Sequence, residues 1–187
     1  MRSAKAIHLL LISITCITLF SCGDQLKTGL ETDPYFDLKG FVAQQAKSLD
    51  GHQVEKKSAV GNEEKKSEMI YSTQEWKDEL LVFTSADINK PSLVQAYQSE
   101  RNPTTLSHTL RPDSKDNVKS IFVEYDGEKV RRITIQLVED DLFYSSTTKG
   151  VLVINIETKK LASYEIETTQ KIWFLDSNVM KISGIIN

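Results

Sequence analysis

The sequence predicts an α+β fold: two helices packed on a curved antiparallel β-meander, in a single domain over 34–187. Three observations lead there. Apolar residues recur at helical spacing in two stretches of the first half, near 34–49 and 74–85. From Ser92 onward the apolar period changes to two, as half-buried strands require. Turn residues then interrupt the pattern at short intervals, which favours hairpins over crossover helices. A length of 187 residues suits one such domain with a leader in front of it.

The first 22 residues stand apart in composition. Arg2 and Lys5 precede a mostly apolar run from Ala6 to Phe20. As a helix that run would reach ~22 Å, short of a ~30 Å hydrocarbon core. A basic start and an apolar run of this length read as an export signal, residues 1–21, rather than a membrane span. The run closes on Leu19-Phe20-Ser21-Cys22-Gly23. This resembles the lipobox of bacterial lipoproteins, with Leu three before the Cys and a small residue just before it. Phe20 is bulkier than the residue usual at its place. The resemblance implies that Leu19, Phe20 and Ser21 are recognised by the signal peptidase and that cleavage falls before Cys22. It implies also that the Cys22 thiol carries diacylglycerol, with fatty acids such as palmitate. Cys16 fits less well, because Ser13 occupies its corresponding Leu position. Two acyl chains hold a protein stably where one is marginal. Residues 22–33 then read as the lipidated Cys and a flexible tether, mixed polar with Gly23 and Gly29. Gly23 rather than Asp follows the Cys, which by the same resemblance implies the outer rather than the inner membrane.

Asp33-Pro34 predicts the first helix start, since Asp accepts from free N–H groups and Pro fits the first helical position. Tyr35, Leu38, Val42 and Leu49 follow at helical spacing with Phe41 beside them, and Asp50-Gly51 is the stop. Residues 52–60 and 63–72 predict a polar hairpin about Gly61-Asn62. A two-residue turn sets Lys57 against Lys66 and Glu55 against Glu68; a three-residue turn sets Lys56 against Glu68 and Val54 against Ile70. Like charges directly opposite destabilise a strand pair, so the three-residue register with a bulge is expected. The interleaved lysines and glutamates read as a solvated face. Ser72-x-x-Glu75 is a capping box, and Trp76, Leu80 and Phe83 continue it as a second helix over 74–85.

The strand faces are Leu106, His108 and Leu110; Ile121, Val123 and Tyr125; Ile133, Ile135 and Leu137. Val151 and Val153, Tyr164 and Ile166, Ile172 and Phe174, then Met180 and Ile182 continue the pattern. Turns are expected at Asp126-Gly127, Glu139-Asp140-Asp141, Lys149-Gly150, Thr158-Lys159 and Asp176-Ser177-Asn178.

Composition narrows the chemistry. The formal charge of −3 grows more negative once Arg2 and Lys5 leave with the signal, and an acidic chain lacks the footprint of a nucleic-acid binder. With Cys16 removed and Cys22 lipidated, no thiol remains for nucleophilic or redox work. His52 and His108 lie far apart without metal-ligand spacing, so no metal and no cofactor is expected. G-x-S-x-G, P-loop and G-x-G-x-x-G patterns are absent, and no catalytic residue is expected. His108, between two inward leucines, reads as a hydrogen-bonded sheet histidine. Tyr125, Phe143, Tyr144, Trp173 and Phe174 would line a groove or pack the core; core is the simpler account.

The segment Tyr35-Phe36-Asp37-Leu38-Lys39-Gly40-Phe41, with Glu75-Trp76 and Asp87-Ile88-Asn89-Lys90-Pro91, resembles small uncharacterised envelope lipoproteins of the Bacteroidota. The resemblance implies compartment and fold more than activity. The expected function is that of a lipid-anchored cell-envelope protein, non-enzymatic, acting as a binding or interaction module. Its partners would be the membrane, through the lipid on Cys22, and an envelope protein. A carrier of an apolar ligand predicts instead a cavity lined by Ile133, Ile135, Val151 and Val153. A carboxylate-dependent hydrolase predicts two acids facing each other across a cleft, about 5–10 Å apart.

Overall fold

The structure, a computed structural model, describes residues 34–61 and 63–187. The predicted signal and tether, with Leu19, Phe20, Ser21 and Cys22, lie outside the described residues, as does Asn62. In chain order the elements are α1 (Leu38–Ser48), β1 (Gln53–Val60), β2 (Glu63–Ile70), α2 (Thr73–Glu79) and α3 (Leu81–Ser85). A 3-10 turn, Pro91–Leu93, leads into β3 (Tyr97–Asn102), β4 (Thr105–Leu110), β5 (Val118–Asp126) and β6 (Lys129–Asp140). β7 (Tyr144–Ile154), β8 (Leu161–Ile172) and β9 (Asn178–Ile186) complete the chain.

The strands form one antiparallel sheet in the order β2-β1-β9-β8-β7-β6-β5-β4-β3. β3 to β9 are a meander, and the β1–β2 hairpin extends it by pairing with the last strand. The helices cover one face only. Ile121, Val123, Ile133, Ile135, Leu152 and Tyr164 rise from the sheet to meet Leu38, Val42, Leu49, Trp76, Leu80 and Phe83 from above, and all are shut off from solvent. The opposite face carries polar side chains such as Thr134, Gln136, Thr147, Lys149, Glu167 and Thr169. The α+β class is as expected, but with three α-helices rather than two, beside nine strands, among the described residues.

Several local expectations are corrected. The first helix starts at Leu38, capped by Asp37, whose carboxylate accepts the Gly40 N–H at 2.7 Å. Asp37 wins over Asp33-Pro34 because Gly40 leaves room: a Cβ there would run into the Asp37 carboxylate. Tyr35 is an anchor instead, its N–H on Asn89 Oδ1 and its hydroxyl on the Leu93 carbonyl. The second helix is divided at Leu80, where Phe83 N–H bonds back only three residues, to the Leu80 carbonyl. The capping box at Ser72 and Glu75 is formed as expected.

The hairpin takes the two-residue register, with Val60 opposite Glu63, Lys57 opposite Lys66 and Glu55 opposite Glu68. Gly61, at φ +58°, supplies the left-handed conformation such a turn needs. The like charges find diagonal partners: Lys57 meets Glu64 at 2.8 Å, and Gln53 donates to Glu68 at 3.0 Å. Turn geometry therefore outweighs cross-strand charge, whose pairs contribute under ~1 kcal/mol.

Lys149-Gly150 is the middle of β7, not a turn. A Cβ at 150 would meet Phe83 Cε1 at 2.7 Å and Ile135 Cγ1 at 2.8 Å, so glycine here makes space for a ring. Keeping β7 continuous also fixes its faces. Leu152 pairs with Ile133 and points at the helices, whereas Val151 and Val153 lie on the opposite face. Phe174 is not a core residue either.

Candidate functional site

Two neighbouring turns at one end of the sheet break the usual chemistry of turns. Asp141 and Tyr144 exchange backbone hydrogen bonds at 2.8 and 3.4 Å, which puts Leu142-Phe143 at the corner between β6 and β7. Leu175 N–H bonds the Ile172 carbonyl at 3.0 Å, which puts Trp173-Phe174 at the corner following β8. Corners normally hold Gly, Asn, Asp, Pro or Ser, which form tight turns or bond their own backbone. Other turns of this sheet obey that rule, with Gly61, Pro103-Thr104 and Gly127-Glu128.

Strand pairing holds the two corners side by side. Tyr144 is opposite Ile172 in the β7–β8 ladder, and Trp173 N–H donates to the Phe143 carbonyl at 3.0 Å. The Phe143 and Trp173 rings lie 6.0 Å apart, tilted by 43°. The side chains project into solvent: Leu142 is 91% exposed, Phe174 77%, Trp173 75%, Phe143 61% and Leu175 53%. Asp140, Asp141 and Asp176 flank this cluster in sequence, as does Lys171. An apolar patch with a polar rim marks a contact surface.

The titratable clusters elsewhere serve the fold. His108 is buried on β4; its Nε2 accepts the Phe36 N–H at 3.1 Å, and its Nδ1 lies 2.7 Å from Ser99 Oγ. A backbone N–H can only donate, so the proton sits on Nδ1 and is given to Ser99. The imidazole is therefore neutral and turned the wrong way to activate that serine. Burial lowers its pKa from 6.5, in the same sense. Glu79 closes a second network: Oε2 meets Lys56 Nζ at 2.6 Å and Tyr71 OH at 3.3 Å, while Oε1 accepts from Tyr164 OH at 2.6 Å. Burial first, then the Glu79 carboxylate, push both phenols up, so Tyr71 and Tyr164 keep their protons near neutrality. Among the described residues no three His, Cys, Asp or Glu converge as metal ligands.

Between α1 and the far-end turns lies an open concavity of ≈ 590 Å³, lined by Phe41, Gln44, Asp126, Lys129 and Asn155. It opens to solvent outside the helix–sheet core. That core is filled by Trp76, Phe83, Ile133, Ile135 and Leu152, where the carrier reading placed its cavity. Among the described residues no helix is long and apolar enough to cross a membrane.

Phe143, Trp173 and Phe174, expected in the core, are exposed here, and they are joined by Leu142 and Leu175, which carried no expectation. The signal was present as two apolar runs bounded by acids, Asp141-Leu142-Phe143 and Ile172-Trp173-Phe174-Leu175-Asp176. Exposed consecutive apolar residues are errors of pattern unless they have a function. No family model, curated protein or solved structure matches the chain.

Proposed function

We propose that this is a lipid-anchored cell-envelope protein that works by contact rather than by catalysis, presenting the Leu142-Phe143 and Trp173-Phe174 corners to a partner surface. The observation that carries the reading is those corners: five exposed apolar side chains gathered at adjacent turns, where neither packing nor turn formation calls for them. The anchor rests on Leu19-Phe20-Ser21-Cys22 behind a basic start, and Gly23 after the Cys favours the outer membrane.

Support comes also from the polar groups. The buried histidine and the half-buried glutamate spend their hydrogen bonds on Phe36, Ser99, Lys56, Tyr71 and Tyr164, which leaves neither aimed at a substrate. Growing expressing cells with a clickable fatty acid tests the anchor. The protein takes up the tag, and Cys22→Ser abolishes it; a Cys22→Ser protein that still carries the tag would refute the assignment.

A further inference from the structure

We infer that the two apolar corners dip into the interface of a lipid bilayer, the same bilayer that holds the anchor, so that the domain is held at two points. The inference rests on the lipid-anchor reading above and names the surface the corners touch.

Shape is the first reason. Leu142 and Phe174 stand at corners and are exposed almost all round, so they form points rather than a flat or hollow face. A protein partner would need a pocket cut for each point, whereas acyl chains and headgroups fill in around any protrusion. The residue types agree. Trp and Phe are suited to the boundary between headgroups and hydrocarbon, where an amphipathic indole keeps its N–H wet.

Chain direction is the second reason. α1 runs away from the corners. Before it, Tyr35 packs on Tyr97, which pairs with Leu110 on the corner-ward side of His108. At its end, Gln45 bonds the Lys159 carbonyl and the Leu161 N–H, at the opposite end of the sheet. The described chain therefore begins over the β3–β4 edge, nearer the corners than the far end of α1 is. His108 shares a row across the sheet with Ile121, Ile135 and Gly150. At ~3.3 Å per residue along β7 and ~4.8 Å per strand, this row lies about 25 Å from Leu142-Phe143. The stretch from Cys22 to Pro34 reaches up to ~40 Å. An anchor at Cys22 and corners in the same leaflet are thus compatible in length.

Charge selects the kind of bilayer. The residues flanking the corners in sequence are Asp140, Asp141 and Asp176 against Lys171, so the two turns themselves favour a zwitterionic over an anionic surface.

Trp173 reports on the contact, because the other tryptophan, Trp76, is buried with its indole N–H on the Leu49 carbonyl. The lipidated protein, extracted from membranes and shown to carry fatty acid, is reconstituted into zwitterionic vesicles brominated on the upper acyl chain. Bromines at that depth quench Trp173 emission. Trp173→Phe removes the quenched component, and adding anionic lipid lessens the quenching. Leu142→Asp/Phe174→Asp lowers quenching to the Trp173→Phe level while fatty acylation and far-UV circular dichroism stay unchanged. An acylated protein with unquenched Trp173 overturns the inference and leaves the anchor standing. Trp173 shielded by a crosslinkable second copy, without quenching, overturns it in favour of self-association. Absence of fatty acid on the extracted protein instead refutes the anchor reading.

Discussion

A neutral imidazole under α1 has a measurable consequence. His108 accepts the Phe36 N–H and donates to Ser99, and burial lowers its pKa from 6.5. The folded state thus favours the unprotonated ring. The stability this contributes is fully present above the unfolded value near 6.5 and drains away as pH falls below it toward the lower folded value. Carboxylates titrate over part of the same range, so the comparison must be internal. The urea midpoint of the native chain is expected to fall more steeply between about pH 7 and pH 5 than that of His108→Gln, which has no ring to protonate. Parallel midpoints for the two chains would show that the ring is protonated without cost. Gly150 acts at the same scale: its missing side chain lets Phe83 press onto β7, joining the helix layer to the middle of the sheet.

Helix capping is decided element by element. At the start of α2, Ser72 Oγ accepts the Glu75 N–H, and the Glu75 carboxylate accepts the Ser72 N–H at 2.8 Å. Ser72→Ala removes one half of this exchange on a helix of only 7 residues. A loss of about 1 kcal/mol is expected in denaturant unfolding, with the slope unchanged. This cap was legible in the sequence because Ser-x-x-Glu specifies both partners within one turn. So was the alternation in β5 and β6, where Ile121, Val123, Ile133 and Ile135 face the helices as expected. What could not be read from local pattern depends on contacts distant in the chain. Gly150 resembles a turn until Phe83 is known to lie on it. Asp37 caps α1 only because Gly40 lets its carboxylate in. The corner residues were misassigned for a related reason: period-two spacing carries Ile172 on to Phe174, but the strand has already ended. Hydrophobic character alone does not distinguish a residue that continues a strand inward from one that turns outward at its tip.

At the scale of the whole molecule, the described residues form one sheet with one helical cover and two edge strands. β2, at one edge, carries Glu63, Glu64, Lys65, Lys66 and Glu68, a charged row that resists pairing with another chain. β3, at the other, carries Gln98, Glu100 and Arg101. A continuous sheet under a shared core favours all-or-none unfolding. A chain beginning at Asp33 is expected to stay soluble and to give coincident near- and far-UV circular dichroism transitions in urea. A separate early transition would mean that the β1–β2 hairpin and its helices form a unit of their own.

The junction between β1 and β9 sets the order in which this protein can be finished. Val54 pairs with Ile186 and Val60 with Met180, so the early hairpin docks on a strand that lies far along the chain. Until β9 has emerged, β1 has only β2 beside it, and an isolated two-stranded hairpin is marginal in water. A ribosome that stops short of β9 leaves a meander without its closing strand and a hairpin without its seat. The sheet therefore cannot close around β1 before β9 is made. A chain passed through a membrane amino end first would bring β1 to the far side before it could lock, and would close there as β9 followed.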